Sequence, residues 1–180
     1  MNIFVLDRDP SIAAKEMCDK HVVKMIVESA QMLSTCHRIL DGSPEKRDSV
    51  SGKRKVVYYK LTDWREAHLY KAAHLKHPCN IWLTETVTNY NWLYKHFIAL
   101  MTEYSNRYGK THACAKLADP LAFVPFNIPN GPLTPFAQAM PDECKSDDVV
   151  EAYRNYYNKY KNQFATWKNR ATPSWFKAAC

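Results

Sequence analysis

The chain has 180 residues, 46% hydrophobic and 13% aromatic, which is enough for one sizeable core and too little for two comfortable ones. Four glycines, 24% charged residues and no long low-complexity tract exclude a fibrous or wholly disordered chain, so a single globular domain over residues 1–180 is expected. A net charge of +7 and a pI near 9.1 favour a polyanionic partner, because cations set on phosphates release condensed counterions; charge serves solubility equally well, so other features must decide.

The start, MNIFVLDRDP, holds an apolar run too short for a secretory signal, and nothing later approaches the roughly 18 unbroken apolar residues of a membrane span, so a cytoplasmic protein is expected. NIFVL reads as a short strand or extended segment on the core. Asp9 then caps a helix with Pro10 at its first position. That helix is expected to pause at Cys18-Asp19 and to restart with Asp19 as cap, running to about Leu40. Residues 41–55, DGSPEKRDSVSGKRK, carry five basic and three acidic side chains without apolar periodicity and read as a mobile loop. It is either a solvated connector or a phosphate-contacting arm.

VVYY at 56–59 fits a strand or a first helical turn. DWREAHLYKAAHLK reads as a helix ending before Pro78. From about Ile81 to Tyr108 the spacing of Leu83, Val87, Tyr90, Tyr94, Phe97, Met101, Tyr104 and Tyr108 predicts one long amphipathic helix closed by Gly109. Residues 120–141 hold six of the ten prolines among large apolar residues and read as an extended belt on the core. A final helix is expected from about Ser146 to Arg170, followed by a tail at 171–180. The fold class is mainly α, with four or five helices, a short N-terminal extended segment and the Pro-rich wrapping segment.

One helix carries the chemistry. In CDKHVVKMIVESAQML, Lys20, Lys24, Glu28, Gln31 and Thr35 fall within an arc of about 80°, with His21 just beyond, while apolar residues cover the rest. Such a narrow strip suits the floor of a cleft, where burial and neighbouring charges tune Glu28 as a general base. A solvated row of i,i+4 pairs fits the same pattern. Asp19 lies on the apolar side of the wheel and reads as a cap. His74, His77 and Cys79 lie close together, but no second cluster with zinc-like spacing completes a site, so no metal is expected. The six cysteines form no CxxC pair and read as reduced thiols. GKT at 109–111 lacks the upstream glycine and strand of a phosphate-binding loop.

This polar helix, followed by KHPCNIW and EYSNRYG, resembles a divergent, bacterial-type branch of the pyrimidine-dimer DNA glycosylase family. Asp19, Lys20, Glu28, Gln31 and Leu33 match the first element, His77, Pro78 and Trp82 the second, and Glu103, Arg107 and Tyr108 the third. The chain is also similar over nearly its full length to a group of uncharacterised tailed-phage proteins. TPSWF resembles the tail with which phage endonuclease V members approach DNA, which implies Trp175 and Phe176 as DNA-side residues.

The resemblance implies an all-α fold that binds duplex DNA and displaces a base. It also implies an α-amine, freed by removal of the initiator methionine, that attacks the sugar with a glutamate assisting. Asn2 is bulkier than the residues that permit such removal, which leaves the amine on Met1, one residue out of place. The family's glutamate, set in an Arg-Glu-Leu context, has no clear counterpart near Lys20-His21-Val22. Both departures argue against lyase activity.

The expectation is therefore a monomeric N-glycosylase-like enzyme acting on a damaged or modified base in DNA, with no cofactor. Glu28, Lys24 and His21 form the catalytic set; Lys20, Gln31, His77, Trp82 and Trp175 bind substrate. Alternatives are a non-catalytic DNA-binding accessory protein and an enzyme acting on a free nucleotide or nucleobase.

Overall fold

The computed structural model describes residues 1–49 and 51–178. The chain enters through the core: Ile3, Phe4, Val5 and Leu6 are buried without forming a strand. Asn2 sets this path. Its Oδ1 accepts from the backbone N–H groups of Ile3 and Phe4, and its Nδ2 donates to the Ala139 carbonyl at 2.7 Å.

Helix α1 is Pro10–Glu16, and Asp9 caps it as expected, accepting from the N–H groups of Ser11 and Ile12. Helix α2 is Asp19–Asp41, with Cys18 rather than Asp19 at the N-cap position. The pause between them strands the carbonyls of Lys15 and Met17, and the buried Arg107 guanidinium donates to both at 2.9 Å. Asp19 works outward instead: it accepts from Arg107, from the Thr166 hydroxyl and from the Lys168 N–H. Its expected capping role is corrected to that of a tertiary tie.

The expected loop at 41–55 is largely a β-hairpin, with β1 Ser43–Asp48 antiparallel to β2 Lys55–Lys60. No apolar alternation announces it, because cross-strand charges hold it: Lys55 pairs with Asp48 at 2.8 Å, Lys60 reaches Glu45 at 3.8 Å, and the Arg47 guanidinium lies 3.6 Å over the Tyr58 ring. Gly42 admits the hairpin root beside α2. A Cβ there would meet the Arg38 carbonyl at 2.5 Å.

Three expected helices shorten or split. Of residues 63–76 only α3, Arg65–His68, is helical, because Arg38 takes the carbonyls of Tyr59, Glu66, Leu69 and Tyr70 that helix or sheet ladders would otherwise use. The long helix from 81 begins earlier and breaks at Thr86, giving α4 Pro78–Glu85 and α5 Val87–Tyr108. The Thr86 hydroxyl caps α5, and Gly109 ends it at φ 64°. Its buried face runs through Asn89, Leu93, His96, Leu100, Glu103 and Arg107 as well as Tyr90 and Phe97, a quarter turn from the stripe read in the sequence. Within the Pro-rich region α6, Ala118–Ala122, follows a 3-10 turn at Ala113–Leu117. Residues 129–134 then strap the α4–α5 junction, the Thr86 and Thr88 hydroxyls donating to the carbonyls of Pro132 and Gly131. Helix α7, Val149–Tyr160, stops well before Arg170, since the chain turns back to pair Thr166 and Lys168 with Asp19.

The architecture is mainly α, with seven α-helices among the described residues rather than four or five. The N-terminal segment, α2, α4, α5, α7, Phe136 and Trp167 share one apolar cluster. No helix of the described residues is long and apolar enough to cross a membrane. Cys18, Cys36, Cys79, Cys114 and Cys144 are free and buried; Cys180 lies outside the described residues.

Candidate active site

The polar strip of α2 does not lie along the floor of a cleft. Val23 and Val27, assigned to the apolar side, are 39% and 46% exposed, and the strip slopes from exposed Lys20 and Lys24 to buried Thr35. Midway along it, Glu28 meets the chain terminus. The Met1 α-ammonium lies 3.6 Å from Glu28 Oε2, and Lys24 Nζ lies 3.2 Å from Oε1, so each carboxylate oxygen faces one cation. Glu28 is only 16% exposed and the Met1 side chain 5%, whereas Lys24 stands in solvent.

Local structure fixes the amine from two sides. Asn2 bends the terminus into place as described above, and the Asn80 amide, in the first turn of α4, donates to Met1 Sδ at 3.6 Å and to the carbonyls of Ala73 and His74. His77 caps α4 through Nδ1, accepting from the Cys79 N–H. Burial, the Met1 ammonium and His74 lower the His77 pKa against the opposing pull of Glu28, which leaves its imidazole neutral at pH 7. Burial pushes the neighbouring Cys79 thiol up to about 12, so it offers no thiolate. The group beside Glu28 with nucleophilic chemistry is an amine.

The structure thus brings together Glu28, Lys24 and His77, with Met1, Asn2 and Asn80 added. Gln31 stands one turn along and donates to the Lys71 carbonyl at 2.6 Å, pinning the 71–77 segment over the strip. Lys20 is exposed and holds its ammonium 4.7 Å over the Phe164 ring.

Three residues stand elsewhere. His21 is buried against Phe4, with ring centroids 4.4 Å apart, and its Nδ1 lies 2.5 Å from the Tyr157 hydroxyl; burial lowers its pKa to about 3. Trp82 is 2% exposed, stacks on Phe136 at 5.1 Å and belongs to the core rather than to a pocket wall. Trp175 folds back on the body, donating to Glu16 at 2.8 Å with Arg154 over its ring, and touches none of Met1, Glu28 or His77.

Cavities of about 500, 580 and 330 Å³ lie between α1 and α5, beside the hairpin, and near Arg8 and Thr134, and none is lined by Met1, Glu28 or His77. A substrate group must approach this shallow centre from outside, as a base or sugar drawn out of a helix would.

The family model described as pyrimidine dimer DNA glycosylase matches residues 1–116. The chain belongs to the pyrimidine dimer DNA glycosylase family. It is thereby a DNA N-glycosylase acting on damaged bases, with DNA as its partner. The matched region of this glycosylase contains every residue of the Met1–Glu28 cluster, while α7 and Trp175 fall outside it. No curated protein and no solved structure matches the chain. Asn80 was missed in the sequence, and the resemblance left the Met1 amine one residue out of place. Asn2 was weighed there only as an obstacle to methionine removal, but with Met1 in place the amine already lies at Glu28, so retention does not put it out of reach.

Proposed function

We propose that this glycosylase excises its damaged base at the Met1–Glu28 centre, acting as a monomer on duplex DNA with the target base displaced. The observation that carries the proposal is the buried α-amine held 3.6 Å from a largely buried carboxylate, where the neighbouring Cys79 offers no thiolate and the other amine, Lys24, stands in solvent. The amine, once neutral, directs its lone pair at C1′; the C1′–N bond breaks and its electron pair leaves with the base, which takes up a proton. Glu28 stabilises the positive charge that develops on the sugar, takes a proton from the attached amine and returns it to O4′ as the C1′–O4′ bond breaks, which opens the sugar and leaves C1′ joined to the amine as an iminium. Lys20 and Lys24, both exposed, contact phosphates, and neutral His77 lines the approach. Gln31 positions the 71–77 segment. His21, Trp82 and Trp175 serve packing.

A second reading has Glu28 orient water for direct hydrolysis, without a covalent intermediate or lyase step. It is favoured by the ion pair itself, since an ammonium is not a nucleophile until it loses a proton. Both readings predict release of a free base from one member of a duplex panel carrying damaged or hypermodified bases, read by mass spectrometry. Glu28→Gln should abolish that release; full retention on every substrate the parent cleaves would contradict the proposal.

A further inference from the structure

The hairpin accounts for much of the protein's charge. Residues 43–60 contain six basic and two acidic side chains, a net of four positive charges in a chain whose total is +7. The two carboxylates are already spent: Asp48 on Lys55, and Glu45 on Arg47 and Lys60. Among the described residues, Lys46, Lys53, Arg54 and the nearby Lys71 have no carboxylate partner within 4.0 Å. Of these, Arg54 and Lys71 line one hollow, and Lys46 and Lys53 belong to the same hairpin.

The hairpin is stiff at its root. Arg38, buried in α2, donates to the Tyr59 carbonyl at 2.8 Å and to Glu66 at 2.7 Å; the Tyr58 hydroxyl donates to the same Glu66 carboxylate. Above this clamp a cavity of about 580 Å³ is lined by Arg47, Arg54 and Lys71, by the hydroxyl-bearing Ser49 and Ser51, and by Tyr59. Cationic donors and hydroxyls converging on one hollow suit a phosphate diester, which presents charged oxygens and no acidic proton. The hollow is also tied to the reactive centre. Lys71, on its wall, gives its carbonyl to Gln31, one helical turn from Glu28.

We propose that the 43–60 hairpin, with Lys71, is a second DNA-contact surface that holds the sugar-phosphate backbone flanking the base being excised. This rests on the assignment of DNA excision to the Met1–Glu28 centre, and it adds a footprint on one side of that centre. Asp48, which also lines the hollow, is neutralised by Lys55 at 2.8 Å, and cations and hydroxyls aimed at phosphates carry no base preference, so the contact is sequence-independent.

The test is the salt dependence of binding to an undamaged duplex, comparing the parent, a Lys46→Gln/Lys53→Gln/Arg54→Gln triple, and a charge-matched Lys95→Gln/Lys110→Gln/Lys116→Gln triple. Removing one cation from a phosphate lowers the slope of log K against log salt by about 0.9, so the hairpin triple should lose about two or more slope units and the matched triple close to none. Hydroxyl-radical footprints should shorten on one flank in the hairpin triple alone. Equal slope loss in both triples, or none in the hairpin triple, overturns the proposal, as does tighter binding of the hairpin to phosphatidylserine vesicles than to duplex. Both readouts use undamaged DNA, so they stand or fall separately from base excision. Matching thermal melts of parent and triples verify that the exposed substitutions leave the fold intact.

Discussion

Two charged clusters on α2 use similar side chains to opposite ends. At its start, Asp19 and buried Glu103 are matched by Arg107 and Arg170: Arg107 also takes two backbone carbonyls, and Arg170 binds both Glu103 oxygens. Charge there is balanced, which ties α1, α2, α5 and the chain after α7 together. At Glu28 one carboxylate faces two cations, and Lys24 stands in solvent. Surplus positive charge around one carboxylate is poor scaffolding and a good place to receive DNA. The matched cluster builds the fold; the unmatched one is left free to react.

Substitutions should separate the two. Glu28→Gln is expected to lower single-turnover excision by about 10²–10⁴-fold, the usual range for a positioned acid–base group, while moving stability by less than about 1 kcal/mol. Arg107→Met should do the reverse, costing about 3 kcal/mol in urea unfolding because Glu103 and Asp19 lose a buried partner, with the excision rate of the folded fraction little changed. An Arg107→Met enzyme that stays as stable as the parent would erase the distinction.

A separate effect, on stability alone, comes from pH. Burial lowers the pKa of His21, His37 and His96 to about 3, 4 and 3. Below the unfolded value of about 6.5 the unfolded chain binds protons that these rings refuse, so acid favours unfolding. Between pH 6.5 and about 4 each ring should remove about 1.4 kcal/mol of stability per pH unit, with the contribution fully present above 6.5. Urea midpoints at pH 7.5, 6.5 and 5.5 check the sign. The smallest effect belongs to Lys24→Gln: an exposed pair contributes at most about 1 kcal/mol to stability, and the variant should instead reduce the salt slope of DNA binding by about 0.9.

Short-range signals were legible in the sequence. Asp9-Pro10 starts α1, Gly109 ends α5, and the polar residues on α2 single out Glu28 and Lys24. What failed was set at long range. Nothing near residues 69–76 announces that Arg38 will claim their neighbours' carbonyls, and nothing in SPEKRD shows that it will pair with KVVYYK. The family resemblance placed Trp82 and Trp175 at a binding surface, whereas Phe136 and Glu16, distant in sequence, draw them inward. Glu103 and Arg107 carry part of the family resemblance, yet they are structural. The amine entered only through the family resemblance, which left it one residue out of place: a terminus has no side-chain signature, and only the fold of residues 1–6 against Asn80 and Ala139 delivers it to Glu28.

The most direct test of the Met1–Glu28 centre is borohydride reduction during reaction with abasic-site duplex, followed by peptide mass mapping of any protein–DNA adduct. A covalent adduct on the N-terminal peptide, at the Met1 α-amine and abolished when that amine is acetylated, is the predicted result. Base excision that proceeds with no trapped adduct, or an adduct mapping to Lys24, would contradict the assignment of the amine as nucleophile.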